Sequence, residues 1–301
     1  MASLGCRRPL DDAVLAEDFI SKVFEGRSDV ESIANLVANA ELALLKLEKS
    51  PTQTHNNYRD KTYRDDVARM QLHERILNEL INLEQLEDDD DICLGKGGAK
   101  PQFTKQDGVA YIVSGAPASG KSTISDQLAK DNGAYMLDSD YAKRKFPEYS
   151  RYPGGASLVH KESDELVFAP ENSLFEYCIY SKHNIVIPLV GRTYKSVEKI
   201  CKRLISAEYA IHIINVALDR YECTKRAFTR FQKKGRYVPL SYVFDEVGNE
   251  PERIYFQLKR DYLGKPGFLS FSQVSTDVQE GMPAKVLEKS EHSPFEGSAK
   301  L

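Results

Sequence analysis

The chain has 301 residues, 41% of them hydrophobic, and its 41 Lys and Arg against 45 Asp and Glu leave a net charge of -4. That content supports a real core spread over one large or two ordinary domains. The mild acidity excludes a general nucleic-acid or membrane-surface binder, so any positive site must be local. Five cysteines, Cys6, Cys93, Cys178, Cys201 and Cys223, are odd in number and lack a C-x-x-C pair, which argues against a disulfide framework or a zinc site and suits a reducing compartment.

In chain order, "MASLGCRRPLDDAVLAEDF" follows its arginines with no apolar run, and no segment approaches the ~18 apolar residues of a membrane span. A soluble chain without a Sec-type signal is expected. Residues 10–86 read as helical. Ser28 and Glu31 match a capping box, and Ile33, Leu36, Val37, Ala40, Leu44 and Leu47 keep helical spacing until Ser50-Pro51. A second helix spans roughly 62–86, with Ile76, Leu80 and Leu83 on one side and Leu77 and Ile81 beside them. The stretch "EDDDDICLGKGGAKPQ" then reads as a surface connection, its acid run a solvated tract in preference to a metal site.

From Val109 short apolar runs alternate with helical stretches. Candidate buried strands are 110–114, 134–137, 184–190 and 211–218, which implies βαβ units and a parallel sheet covered on both faces. The expected division is an α-helical N-terminal region over 1–95, an α/β domain over 96–280 and a loosely ordered tail over 281–301.

Gly115-Ala116-Pro117-Ala118-Ser119-Gly120-Lys121-Ser122, with Thr123 after it, satisfies G-x-x-x-x-G-K-[ST] between a strand and a helix. In that context glycines let backbone N–H groups surround phosphate oxygens, the helix N-terminus adds partial positive charge, Lys121 reaches the outer phosphates and Ser122 offers a hydroxyl to Mg²⁺. Nineteen residues after Lys121, Asp140 follows a strand ending at Asp138. Carboxylates there could take a proton from an attacking hydroxyl or hold metal, and each could equally cap the next helix. In "DRYECTKRAFTRFQKKGRYVP", Asp219 and Glu222 open a helix that Gly235 closes. Arg226, Arg230 and Arg236 suit the charge spread over a transferring phosphoryl group, or else form a solvated basic helix.

Together these segments resemble the zeta-toxin family of P-loop kinases: "GAPASGKST", "DSDYAKRKFP", "NIVIPLVGRT", "RAFTRFQKKGRYVP" and "GGASLVHKESDEL". The resemblance covers roughly 109–239 and lies nearest the AvrRxo-type effector branch, whose members also carry helices before the kinase. It implies a P-loop kinase fold using ATP and Mg²⁺, Asp140 as catalytic base, an arginine lid, and His160, Glu162 and Ser163 near the second substrate, with Asp138, Arg192 and Thr193 also on that side. It further implies a nucleotide-type acceptor, a possible antitoxin or chaperone partner, and residence in a bacterial cytosol or, for a secreted effector, the host's. Pro188-Leu189-Val190 stands where the toxins carry an acidic residue, so a ribose hydroxyl of NAD is favoured over UDP-N-acetylglucosamine. A polynucleotide 5′-kinase shares the loop, base and lid but needs a basic aromatic strand channel that is missing here. A non-catalytic nucleotide-binding interaction protein is the other alternative.

Overall fold

The computed structural model describes residues 8–47, 51–151, 154–279 and 281–295. The strands are β1 (Val109–Ser114), β2 (Tyr135–Met136), β3 (Ile185–Leu189), β4 (Ala210–Ala217), β5 (Phe268–Ser275) and β6 (Lys285–Lys289). The helices are α1 (Ala13–Val23), α2 (Val30–Leu47), α3 (Asp66–Asn82), α4 (Lys121–Asn132), α5 (Ser139–Lys145), α6 (Gly155–Leu158), α7 (His160–Phe168), α8 (Leu174–Tyr180), α9 (Tyr194–Ser206), α10 (Arg220–Lys234) and α11 (Glu250–Tyr262). None of the described helices is long and apolar enough to cross a membrane.

The strands lie in the order β2-β3-β1-β4-β5-β6, parallel except for the β5–β6 pair. Ile112 registers with Ile187 on one side and Ile213 on the other, all three buried, as β-branched residues in a sheet covered on both faces should be. After β1 the chain leaves toward β2, whereas after β3, its neighbour, it crosses to β4. The connections diverge between the carboxyl ends of β1 and β3, where ligands bind in open α/β sheets.

The N-terminal helices serve two different cores. In α3, Leu72, Ile76 and Leu80 join the main core around the sheet, while α1 and α2 pack with α10 in a second core through Phe19, Ile20, Phe24, Ile33, Val37 and Leu44. Leu36, expected in the buried stripe, is 38% exposed. The helix also starts later than the capping box requires: it begins at Val30, with the Asp29 carbonyl accepting from the Ile33 N–H and the Asp29 carboxylate paired with Arg27. Residues 48–50, where a stop at Ser50 was expected, and Cys6 lie outside the described residues. Cys178, Cys201 and Cys223 are buried free thiols and Cys93 is exposed. Within 281–301, expected to be loosely ordered, Lys285–Lys289 forms the antiparallel edge strand β6, and residues 296–301 lie outside the described residues.

Candidate active site

The turn between β1 and α4 has little spare room. A Cβ on Gly115 would stand 2.8 Å from the Val216 carbonyl oxygen and 2.7 Å from Ser119 Oγ. Gly120 has φ +86°, and a Cβ there would meet Thr276 Cγ2 at 2.8 Å, so both positions exclude larger residues. Ala118 adopts φ +62°, a conformation that costs a non-glycine residue about 1 kcal/mol or more and that the surrounding loop must impose. The Ser119 N–H donates to the Ala116 carbonyl at 3.1 Å, and Thr276 Oγ1 donates to the Ser119 carbonyl at 2.7 Å, pinning the loop to the end of β5. Pro117 is half-buried in this turn.

Lys121 Nζ donates to the carbonyls of Gly115 and Ala116, both at 2.8 Å. Burial pushes its ammonium down to about 8, opposed by Cys223, Asp138 and Asp140. Ser119 Oγ is buried without a hydrogen-bond partner among the described residues, and Ser122 and Thr123 are exposed on the first turn of α4. A cationic ammonium folded onto its own loop, an unsatisfied hydroxyl and a helix start together fit phosphate. For Mg²⁺ the fit is narrower. Among the described residues no group of three His, Cys, Asp or Glu could hold an ion, so Ser122 and phosphate oxygens would be its main ligands, which suits a cation that keeps several waters.

Asp138 and Asp140 follow β2. The Asp138 carboxylate accepts the Asp140 N–H at 2.8 Å and caps α5; burial, then the charge of Asp140, raises it to about 6. Asp140 accepts from Lys143 Nζ at 2.8 Å and from Arg236 at 2.5 Å. Burial works to raise it, but these two cations hold it well below the usual carboxylate range. Both aspartates lie within electrostatic reach of Lys121. Thus one carboxylate is a cap that burial makes easier to protonate, and the other is held toward its charged form by two cations.

The arginines come from α10 and the turn after it. Asp219 caps this helix by accepting the Tyr221 N–H at 2.7 Å, and Gly235 ends it at φ +69°. Glu222, expected to share in the cap, instead pairs with Lys225. Arg226 donates to Thr276 Oγ1 at 3.2 Å and its carbonyl at 2.9 Å, beside Gly120. Arg236 ties the turn to Asp140, and Arg230 feels the field of both Asp140 and Arg236. On the opposite face Phe228 meets Phe24 edge to face, with centroids 5.3 Å apart, so the N-terminal hairpin carries the arginine helix.

The profile of the family described as "Zeta toxin" matches residues 97–260, more than half the chain, and spans the phosphate loop, Asp138, Asp140 and the three arginines. The chain belongs to the zeta toxin family. It is a phosphotransferase. Among solved structures it is similar to that described as "Molecular and structural characterization of the PezAT chromosomal toxin-antitoxin system of the human pathogen Streptococcus pneumoniae", with TM-score 0.50, 14% identity, and coverage of 77% of this chain and 84% of that one. It also aligns with AvrRxo1-ORF1:-ORF2 with ATP, at TM-score 0.44 and 10% identity over 96% of this chain and 74% of that one. At 14% identity the first likeness shows the fold alone. No curated protein matches the chain at a significant level.

Within this zeta toxin chain, two of the residues expected at the second substrate are buried. Glu162, 2% exposed, receives Arg69 on both oxygens, at 2.9 and 2.5 Å, and Thr52 Oγ1 at 2.5 Å. Burial would raise it, yet Arg69, His73 and Thr52 bring it down to about 2. Fully buried Ser163 donates to the Val159 carbonyl at 2.6 Å. α7 turns Glu162, Ser163, Leu166 and Val167 inward, and Glu162 ties residues 52–73 to the kinase core. His160, at the start of α7, is exposed and within electrostatic reach of Lys143 and Asp140. Thr193 caps α9, accepting the Ser196 N–H at 3.3 Å. Arg192, at the carboxyl end of β3, pairs with Glu246 of the π-helical turn Tyr242–Val247.

Sequence reasoning missed a cavity of about 510 Å³ lined by Asp88, Asp90, Tyr149, Arg151, Arg230, Lys234 and Arg236. Its signals were the acid run at 88–91, read as solvated, and Arg230 and Arg236, read as facing the transferring phosphoryl group. A shallower depression of about 700 Å³ between α8 and α9, lined by Glu176, Lys195 and Lys199, contains none of the site residues.

Proposed function

We propose that this phosphotransferase moves the γ-phosphoryl of ATP to a sugar hydroxyl of a nucleotide-type metabolite, with the ribose of NAD first and UDP-N-acetylglucosamine next. The observation that carries the proposal is the Lys121–Asp140–Arg236 constellation, which sets a phosphate loop, an ionised carboxylate and a lid cation in one electrostatic neighbourhood at the carboxyl ends of β1 and β2.

Lys121 and the loop amides of 115–120 hold the outer phosphates, displacing the loop carbonyls that Lys121 now contacts. Asp140 orients the acceptor hydroxyl and takes its proton as the new P–O bond forms and the bond from the γ-phosphorus to the leaving ADP breaks; Lys143 and Arg236 keep it ionised at rest, and Arg236 must turn from it to the phosphoryl group before it can hold that proton. Arg230 and Arg236 neutralise charge on the transferring group, and Arg226 braces the loop through Thr276. Mg²⁺ at Ser122 would supply further charge neutralisation on the phosphates. Asp138 positions α5, and His160, Arg192 and Thr193 border the acceptor side.

PezAT is a toxin–antitoxin system, and for this chain we extend the proposal to toxicity and to a protein antitoxin or chaperone as partner. The test of the reaction is mass spectrometry of a metabolite extract incubated with ATP, Mg²⁺ and the chain, with NAD, UDP-N-acetylglucosamine and an oligonucleotide as defined substrates. A gain of one phosphate on NAD supports the first choice. Phosphorylation only of the oligonucleotide, or of nothing, refutes it.

A further inference from the structure

The mechanism leaves one carboxylate unused, and it sits among the lid cations. Asp90 Oδ1 is 3.2 Å from Arg144 and 3.9 Å from Arg230, and Oδ2 contacts Lys234 Nζ. The turn that delivers it is fixed on every side: Asp89 accepts the Tyr141 hydroxyl at 2.5 Å, Asp88 accepts the Asp90 N–H at 2.9 Å, and Asp91 pairs with Lys96 at 2.9 Å. Asp90 is therefore held at the mouth of the 510 Å³ cavity, where Arg151, Arg230, Lys234 and Arg236 outnumber the carboxylates of Asp88 and Asp90. One donor of the lining, Arg236 Nη1, is buried without an acceptor among the described residues, and so is Nε of Arg144, the residue that pairs with Asp90 behind it. Buried donors of this kind are costly to leave unpaired, and surplus cations with unfilled donors form a site for a polyanion.

We propose that this cavity is an anion subsite that takes a phosphate group of the acceptor, and that Asp90 is its internal competitor, holding Arg230 and Lys234 until that group displaces it. Assigning the phosphate to the acceptor rests on the kinase reading above; the existence of the subsite does not. Tyr149, with the Arg236 guanidinium 5.9 Å from its ring centre, gives the same cavity a flat wall.

The probe is inorganic phosphate, titrated by calorimetry into the full chain whose phosphate loop is already saturated with a non-hydrolysable ATP analogue. Phosphate binds the saturated wild-type chain, binds about tenfold tighter to Asp90→Asn, from which one competing charge is gone, and binds at least tenfold weaker to Lys234→Met. Lys195→Met, the same change of charge made in the depression between α8 and α9, leaves the isotherm unchanged. Equal affinity in wild type and Asp90→Asn overturns the competitor role. Binding only when the phosphate loop is empty shows that the cavity serves the nucleotide's own phosphates, and overturns the subsite. Unchanged binding in Lys234→Met does so independently, should Asp90→Asn fail to fold by circular dichroism. If no extract yields a phosphorylated product, the kinase reading fails while these isotherms still decide the subsite.

Discussion

Replacing Asp140 with Asn keeps the shape of the side chain and removes its charge. The carboxylate is bound on both oxygens, with 27% of its side chain exposed and its partners Arg236 and Lys143 at 20% and 12%. An exposed pair is worth about 1 kcal/mol or less, and stranding a fully buried partner costs about 3–5 kcal/mol. At this intermediate exposure the expected loss of stability is about 2 kcal/mol. Catalysis suffers more, because a positioned base contributes roughly 10²–10⁴ in rate. ATP binding moves the other way: a negative charge near Lys121 disappears, so affinity holds or improves. The assay is single-turnover product formation beside nucleotide binding, each on Asp140→Asn and Asp138→Asn. Turnover should fall at least about a hundredfold in the first with ATP affinity retained. In Asp138→Asn the amide oxygen still accepts the cap bond, which spares most of the rate. Turnover of Asp140→Asn near the wild-type value would refute the assignment. If Asp138→Asn were instead the dead variant, and wild-type activity rose with pH through about 6, the proton would belong to Asp138.

Three further outcomes follow from the same geometry. Lys121 ionises near 8 in the free chain; bound phosphates raise that value, so above pH 8 nucleotide binding should take up a proton and weaken, by up to about tenfold per pH unit, as calorimetry in buffers of different ionisation enthalpy will show. Glu162 falls from 4.5 to about 2 on folding, so its stabilisation is complete above 4.5 and lost as pH drops toward 2; Glu162→Gln should cost about 3 kcal/mol at pH 7 and flatten that part of the acid-stability curve. Phe228→Ala opens a cavity between α10 and the N-terminal hairpin, and should cost about 3–5 kcal/mol in denaturant unfolding while lowering kcat through a loosened lid.

What could be read from the sequence was whatever is encoded over short spans. The loop at 115–122 declares itself because phosphate geometry requires glycines and a lysine at fixed spacing along one turn. Strands β1, β3 and β4 are visible as continuous apolar runs. β5 was missed because "FLSFSQVS" buries Ser270, Ser272 and Gln273, polar residues that a hydrophobic pattern does not count. The setting of Glu162 was hidden for a related reason. A short signature shared with a family says nothing of what its glutamate meets inside this chain, and its partner Arg69 lies 93 residues earlier. Asp90 and Lys234 are separated by 144 residues, and no local pattern distinguishes such an ion pair from a solvated acid run.

The packing of α10 also limits how the lid can work. A basic helix bearing Arg226 and Arg230 invites the idea of a swinging arm, but its other face buries Cys223, Ala227, Phe228 and Phe231 against the hairpin of α1 and α2. Arg8 reinforces the seam by pairing with Asp245, 2.6 Å away, and Tyr237 donates to Glu41 at 2.7 Å. Withdrawing the helix alone would expose at least Phe228 and Phe231, a cost of roughly 3–6 kcal/mol, comparable to the whole differential affinity a ligand needs to invert a two-state equilibrium. Closure is cheaper in the turn that starts at Gly235, whose left-handed backbone ends the helix just before Arg236. Movement there can carry Arg236 between Asp140 and a transferring phosphoryl group while Arg226 and Arg230 stay on a fixed support. In the proposed mechanism the N-terminal hairpin is therefore the surface against which the arginine helix is held still.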